Sequence, residues 1–339
     1  MPTSKKSTLR ARVYRGTPTN LSRLARALRA GELVAVPTET VYGLAANALD
    51  AAACRKIFTA KGRPANDPLI VHLAQAGDLA VVARANPAAL KLAKKFWPGP
   101  LTIVLPKTPA IPAVVSAGLP SVAVRVPSHP LFRRLLKLAG IPLAAPSANP
   151  FGYVSPTTAA HVKENLGRKI SHILDGGASH IGLESTIVDL RDPKKPRLLR
   201  PGAITLAQLE RVLGTKVARP RSAAPAKTKS AQVAPGLLAR HYSPRTPVVL
   251  HETMAGPGPE AKPPHDAWLF VAKPTDRRKR GKNIFWLDDR GDLRGGARRL
   301  FAMLRRLDNS GFKRINAELA RGDGLADAIN DRLRRAAAK

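Results

Sequence analysis

The chain predicts an α/β protein with a twisted, mixed sheet and a second, smaller α/β domain behind it. Three observations carry this. Short apolar strand segments are mixed with amphipathic helices, and several strands follow one another directly, which suits a mixed sheet. The length is 339 residues, and at roughly 100–200 residues per domain that predicts two domains. Residues 215–234 are rich in Ala, Pro, Lys, Ser and Arg with no apolar period, which is linker chemistry.

The elements follow in order. Leu21, Leu24, Ala25 and Leu28 share one face and predict a helix at about 20–30, closed by Gly31. Leu33–Val36 is a short apolar strand. Asp50 caps a helix that carries Ile57 and Phe58, and Leu69–Leu73 is the next strand. Asn86-Pro87 opens a helix running to Trp97, stopped by Pro98-Gly99-Pro100. Leu101–Leu105 reads as a buried strand. Val122, Val124 and Val126 alternate with Arg125 as a half-buried strand. A helix over Leu131–Leu138, a strand at Leu143–Ala145, a helix from Thr157-Thr158 and strands at Ile187–Leu190 and Leu198-Leu199 complete the large unit. Beyond the linker come strands at Val248–Leu250, Trp268–Val271 and Ile284–Leu287. A long helix with Leu293, Ala297, Leu300, Phe301, Leu304 and Leu307 on one face follows, then a strand at Arg314–Glu318 and a helix at Leu325–Arg335.

Lys and Arg number 57 against 23 Asp and Glu, a net charge of +34. The excess is uneven: residues 1–30 and 216–245 contain no acidic side chain at all. Such blocks tend to stay flexible, and they point either to an anionic partner, RNA included, or to a solvated basic surface. No run approaches 18 apolar residues, which argues against a membrane span. The basic N-terminus lacks an apolar core, so it is not a secretory signal. The one cysteine, Cys54, excludes an intramolecular disulfide framework and a thiolate zinc cluster. A cytoplasmic protein is the simplest expectation. Neither GxxxxGK[ST] nor GxGxxG occurs, and the eight histidines show no HExxH spacing.

What remains is a set of polar residues at strand ends, where open α/β sheets place ligands. Thr38 and Thr40 lie in such a loop. Lys61-x-Arg63 presents two cations, suited either to a polyphosphate or to a helix C-terminus. Asn66, Asp67 and His72 follow. His72 sits mid-strand, as a core histidine or as a ligand. Arg125 is the one charge inside an apolar strand, and a buried guanidinium needs an anion: a carboxylate substrate, or Glu39 or Glu184. Ser147-x-Asn149 suits phosphate or ribose contacts, or an ordinary turn. Ser185 has no GxSxG around it and reads as a ligand contact rather than a nucleophile. Cys54 reads as a buried structural thiol. Cations and hydroxyls at strand ends, with few general bases, suit electrostatic catalysis on a nucleotide.

These motifs resemble a known family. PTETVYGLAANA (37–48), KGRPANDPLIVH (61–72), WPGPLT (97–102), VAVRVPSHP (122–130), APSAN (145–149), LESTIVD (183–189) and LLRPG (198–202) resemble, in order and spacing, the YrdC-like threonylcarbamoyl-AMP synthases. APGLLARHYSP (234–244) and GLADAINDRLRRAA near the C-terminus are similar to the long, two-domain form. The resemblance implies a twisted mixed-sheet YrdC-like domain plus a small Rossmann-like α/β C-terminal domain. It divides the chain into a basic flexible tail (1–18), a catalytic domain (19–214), a linker or lid (215–245) and a small domain (246–339).

The family condenses L-threonine, bicarbonate or carbon dioxide, and ATP to threonylcarbamoyl-AMP and pyrophosphate, a nucleotidyl transfer. A separate transferase complex then moves the threonylcarbamoyl group onto tRNA. The resemblance places Lys61, Arg63, Ser147 and Asn149 on the ATP phosphates with Mg²⁺, and Lys61 and Arg63 as catalytic cations. It places Arg125 on the threonine carboxylate, with Thr40, His72, Ala145 and Ser185 completing that pocket. Asp67, Ser121, Ser155 and Arg200 become further nucleotide contacts, and Arg240, His241 and Tyr242 the segment folding over the site. Asp67 stands where Asn or Lys is common in relatives, and Gly236-Leu237-Leu238-Ala239 where they often have Met and Tyr. The competing expectation is an RNA-binding or regulatory protein that uses the same basic concave face. A hydrogenase-maturation-type carbamoyl transferase ranks below both, because the zinc-finger cysteines and acylphosphatase segment are missing.

Overall fold

The computed structural model describes residues 10–219, 231–237, 241–254, 265–275 and 281–338. The large unit runs β1 (Arg12–Arg15), α1 (Pro18–Arg29), β2 (Val34–Val36), β3 (Gly43–Asn47), α2 (Ala51–Lys61), β4 (Ile70–His72) and α3 (Leu79–Val82). It continues through α4 (Pro87–Phe96), β5 (Leu101–Pro106), β6 (Ser121–Arg125), α5 (Pro130–Ala139), β7 (Leu143–Ala144) and α6 (Ala159–Leu166). β8 (His172–Asp175), β9 (Thr186–Asp189), β10 (Arg197–Arg200) and α7 (Leu206–Leu213) close it. The small unit contains β11 (Val248–His251), β12 (Asp266–Ala272), β13 (Ile284–Asp288), α8 (Leu293–Asp308), β14 (Arg314–Glu318) and α9 (Leu325–Ala337).

The large sheet has the order β1-β8-β2-β3-β7-β4-β6-β5-β9-β10, with parallel and antiparallel neighbours mixed. Its inner strands β2 to β7 are almost wholly buried because both faces are covered. In β2, Val34 and Val36 pack with Leu21, Leu24, Leu28 and Phe132 from α1 and α5, while Ala35 between them joins the opposite core. The second sheet, β11-β14-β12-β13, is parallel throughout. Both expected sheets are therefore present, and the α/β expectation stands.

The helix signals were read from local chemistry, and the caps obey it. The Asp50 carboxylate accepts from the Ala52 and Ala53 amides, and Thr17 and Thr158 cap α1 and α6 with their hydroxyls. Gly62 closes α2 in the left-handed region at φ 64°, where a side chain would be strained. That turn aims Lys61 and Arg63 inward.

Several expectations are corrected. Arg12–Arg15, inside the stretch expected to be a flexible tail, is a strand paired parallel with β8. β6 is not half-buried: all five of its residues are buried, Arg125 included, because it is an interior strand with a covered face on either side. Of the loop expected after β2, Gly43 and Leu44 already belong to β3. Val217 is buried and Ala218 bridges to Arg197, so the first residues of the expected linker belong to the large unit.

The two units share a continuous apolar contact. Val41, Val154, Leu183 and Tyr242 cluster with Leu300, Phe301 and Leu304 of α8. Gly182, at φ 80°, lets α8 approach: a Cβ there would lie 2.4 Å from the Arg298 Cα.

Phe132 is fully buried on α5 and its ring lies 5.5 Å from that of His72. Phe132→Ala is expected to cost about 3–5 kcal/mol through lost burial and a cavity. Urea midpoints of wild type and variant check this.

Candidate active site

The strand ends meet around a small cavity of about 40 Å³. Thr40, Arg63, His72, Arg125, Ala145, Ser147, Ser185, Arg200, His241 and Tyr242 line it. Of the residues expected on sequence grounds, Lys61, Asp67, Ser121, Asn149 and Ser155 stand outside the lining, and Arg240 lies outside the described residues.

At one end, Arg125 and His72 sit opposite each other on the parallel pair β6–β4. The Arg125 guanidinium donates through Nε to the Gly99 carbonyl (3.2 Å) and through Nη1 to Thr40 Oγ1 (3.0 Å). Its Nη2 lies 2.7 Å from Glu39 Oε1, both groups being buried. The anion that a buried arginine requires is thus supplied in part by Glu39. Burial alone would raise the Glu39 pKa, but the charge and hydrogen bond of Arg125 and two backbone amides outweigh it, and the carboxyl stays ionised. The other carboxylate considered, Glu184, lines the same cavity but pairs with Arg332. Thr38 and Thr40 share a hydroxyl hydrogen bond of 2.8 Å, which fixes the acceptor that meets Arg125.

His72 is buried with Nδ1 unpartnered. Burial, with Arg125 alongside, pushes its pKa down to about 3. The ring is therefore neutral and can accept a hydrogen bond through an unprotonated nitrogen. A consequence for stability follows. Unfolded His72 takes up a proton below about pH 6.5 while the folded form does not, so stability falls as pH drops toward 3. His72 alone is expected to cost about 2 kcal/mol between pH 7 and pH 5. Urea midpoints at those two pH values should converge in His72→Gln by that amount; an unchanged gap contradicts the assignment.

At the other end, Lys61 Nζ donates to the Ser147 and Asn149 carbonyls at 2.5 Å each. This ties the end of α2 to the Pro146–Pro150 loop. Burial, then the neighbouring Arg63, pulls the Lys61 pKa well down. A polyanion would reverse that. Arg63 pairs with Asp67 at 2.9 Å and donates to the Asp67 and Pro68 carbonyls. Ser121 begins β6, two residues before the Ile70–Ala123 pair, as Pro68 precedes β4. It therefore neighbours the place where Arg63 docks rather than Arg125. Asn149 Oδ1 is buried without a partner, while its Nδ2 donates to the Pro150 and Tyr153 carbonyls.

Ser185 Oγ shares a hydrogen bond of 2.7 Å with Thr102 and receives one of 3.2 Å from Arg200 Nη2. No histidine or carboxylate activates it. Ser155 donates to Glu184 at 2.5 Å. Cys54 is buried, donates to the Asn47 carbonyl, and its pKa is pushed up to about 12 by burial, as befits an inert core thiol.

Residues from the expected linker close the mouth. Gln232, Ala234, His241 and Tyr242 are all buried, and Arg200 Nη1 donates to the Pro235 carbonyl at 3.3 Å. Tyr242 has φ 61°, in the left-handed region, and its hydroxyl is buried without a partner.

Residues 26–202 match the family model described as "Telomere recombination", which covers Sua5, YciO and YrdC proteins. Residues 204–338 match the model described as "Threonylcarbamoyl-AMP synthase, C-terminal domain". The chain belongs to the threonylcarbamoyl-AMP synthase family. The threonylcarbamoyl-AMP synthase of Pyrococcus abyssi is 44% identical over 320 residues, 91% of each chain. That of Bacillus subtilis is 45% identical over 234 residues, 68% of this chain and 66% of that one. The crystal structure of P. abyssi Sua5 complexed with L-threonine superposes with a TM-score of 0.85 at 41% identity, covering 96% of both chains. Escherichia coli YciO, at 21% identity and a TM-score of 0.51, covers 57% of this chain and shares the fold.

Two arginines of this family member went unread in the sequence. Arg305 of α8 donates to the Val154 and Ser155 carbonyls and to Asn165. Arg332 of α9 pairs with Glu184. The available signal was their place on inward helical faces, four residues after Phe301 and three after Ile329.

Proposed function

We propose that this chain makes L-threonylcarbamoyl-AMP and pyrophosphate from L-threonine, bicarbonate or carbon dioxide, and ATP. The observation that carries the reading is the pairing of two subsites in one cavity: buried Arg125 with Thr40 and neutral His72 at one end, and Arg63 beside Lys61 at the other.

In this reading Arg125 holds the threonine carboxylate in the place its Glu39 partner only partly fills. Thr40, His72, Ser185 and the Ala145 backbone orient the amine. The amine attacks carbon dioxide, forming the C–N bond of a carbamate and losing a proton. A carbamate oxygen then attacks the ATP α-phosphorus, and the bond from that phosphorus to the bridging oxygen breaks, releasing pyrophosphate. Lys61 and Arg63 stabilise the charge developing on pyrophosphate, and Ser147 and Asn149 hold the phosphates. Arg200 and Tyr242, which line the cavity, bound the nucleotide, while Asp67 and Ser155 act from behind the lining, on Arg63 and Glu184. No covalent enzyme intermediate is required, in keeping with the lack of an activated nucleophile at Ser185.

No cluster of metal-ligating side chains occurs among the described residues. A phosphate-bound Mg²⁺ needs few, since it draws ligands from phosphate and water. The orphaned Asn149 Oδ1 fits as its neighbour. The ion would neutralise charge on the triphosphate.

Residues 12–218 would form the catalytic domain, 246–339 the small domain, and the segment between them a lid that shields a labile product from water. The product would pass to a transferase complex that modifies tRNA, in the cytoplasm. No helix among the described residues is long and apolar enough to cross a membrane. The competing RNA reading needs accessible cations on the concave face, whereas Lys61, Arg63, Arg125 and Arg200 are buried and held by protein groups. Incubation with ¹³C-bicarbonate, threonine and ATP is expected to give a threonylcarbamoyl-AMP mass carrying the label. An unlabelled product, or none, contradicts the reading.

A further inference from the structure

We propose that Arg332, on the last helix of the small unit, is a positioning residue that holds the site closed. It would do so by tying the 183–185 loop and the Tyr242 strap to one guanidinium.

The side chain is completely buried, and apart from Asp331 on its own helix its contacts lie at the seam between the two units. Nε donates to Glu184 Oε2 at 2.9 Å, and Nη2 to the Glu184 carbonyl at 3.4 Å. Nη1 donates to the Pro201 carbonyl, which follows β10, and to Asp331. The guanidinium carbon stands 5.4 Å from the centre of the Tyr242 ring. Glu184 is the residue before Ser185, and its other oxygen accepts from Ser155. Pro201 follows Arg200, whose guanidinium meets both Ser185 and the Pro235 carbonyl of the strap. One fork thus touches the residue next to each of two groups lining the cavity, and a third directly. Lysine, with a single donor centre, cannot repeat this.

The strap itself is poised. Tyr242 holds a left-handed backbone that a tyrosine seldom adopts, and such strain persists only where surroundings over-determine it. Those surroundings come from the small unit. Phe301 of α8 stacks 5.4 Å from the ring, and the Arg335 carbonyl of α9 accepts from the His241 amide and the Ser243 hydroxyl. With the Arg332 contacts removed, the strained tyrosine loses a clamp and the closed strap gives way to an open one.

The test uses the full chain and two variants. Arg332→Lys keeps the charge and loses the fork. Glu184→Gln with Arg332→Gln removes both charges of the pair together, which protects folding. Hydrogen exchange is read at the His241 and Ser243 amides and, as an internal control, at β5 and β6. Strap amides are expected to exchange about tenfold or more faster than in wild type, with β5 and β6 unchanged. The kcat for pyrophosphate release is expected to fall about tenfold or more. Strap exchange at the wild-type rate overturns the proposal. So does acceleration of strap and core amides together, which would make Arg332 a general stability residue. The kinetic arm rests on the functional reading above, but the exchange arm does not. A wild-type protein that makes no threonylcarbamoyl-AMP would therefore refute that reading and leave this test standing.

Discussion

Arg125→Ala is expected to abolish threonine-dependent turnover and to destabilise the fold by about 3–5 kcal/mol, because removing one member of a buried ion pair strands the other. The stranded group is Glu39, fully buried at 2.7 Å from the lost guanidinium. The two effects separate in a second variant. Glu39→Gln combined with Arg125→Met removes both charges and should recover much of the stability while leaving activity absent. Urea denaturation reads the first effect and pyrophosphate release the second. Turnover in the double variant would show that Arg125 supports the fold and does nothing for threonine.

Arg63→Ala is the second large expectation. Arg63 reaches the cavity from the turn after α2, held by Asp67 and by two carbonyls. If it stabilises the leaving pyrophosphate, its loss should cost about 2–4 kcal/mol of transition-state stabilisation, the range for one preorganised donor at developing charge. That corresponds to a fall in kcat/KM of about 30- to 1000-fold. Steady-state assays against ATP read it. Asp67 loses its partner in the same variant, so the fold must be checked alongside. Full activity in a folded variant would remove Arg63 from the phosphate site.

Much of the site was legible because its residues break local rules. An arginine at the end of β6 and a histidine at the end of β4 are anomalies in apolar strands, and both line the cavity. Lys61 and Arg63 flank a left-handed glycine at a helix end, a position that can be read from Gly62 itself. What stayed hidden depended on tertiary partners. That Glu39 rather than Glu184 pairs with Arg125 is decided by which loop crosses β6, and no spacing encodes it. Glu184 is claimed instead by Arg332, 148 positions away in the chain. β1 was hidden for a different reason. Its four residues, Arg-Val-Tyr-Arg, carry two charges, and only Tyr14 is buried, so the strand exists through pairing with β8 rather than through a pattern of its own. β6 is buried throughout because Arg125 finds its anion in buried Glu39 and does not mark a solvent face.

The two units also differ in how their limits show. The long amphipathic α8 and the strand at Arg314–Glu318 were readable from periodicity. The seam was not, because Val41, Val154, Leu183 and Tyr242 look like ordinary apolar residues of the large unit until α8 packs on them.

The most direct test of the account is pyrophosphate release from ATP by the purified chain, with threonine and bicarbonate each supplied or withheld. The two-subsite site predicts release only when both are present, in step with a new threonylcarbamoyl-AMP mass. Release from ATP alone, or none with both substrates supplied, would contradict it.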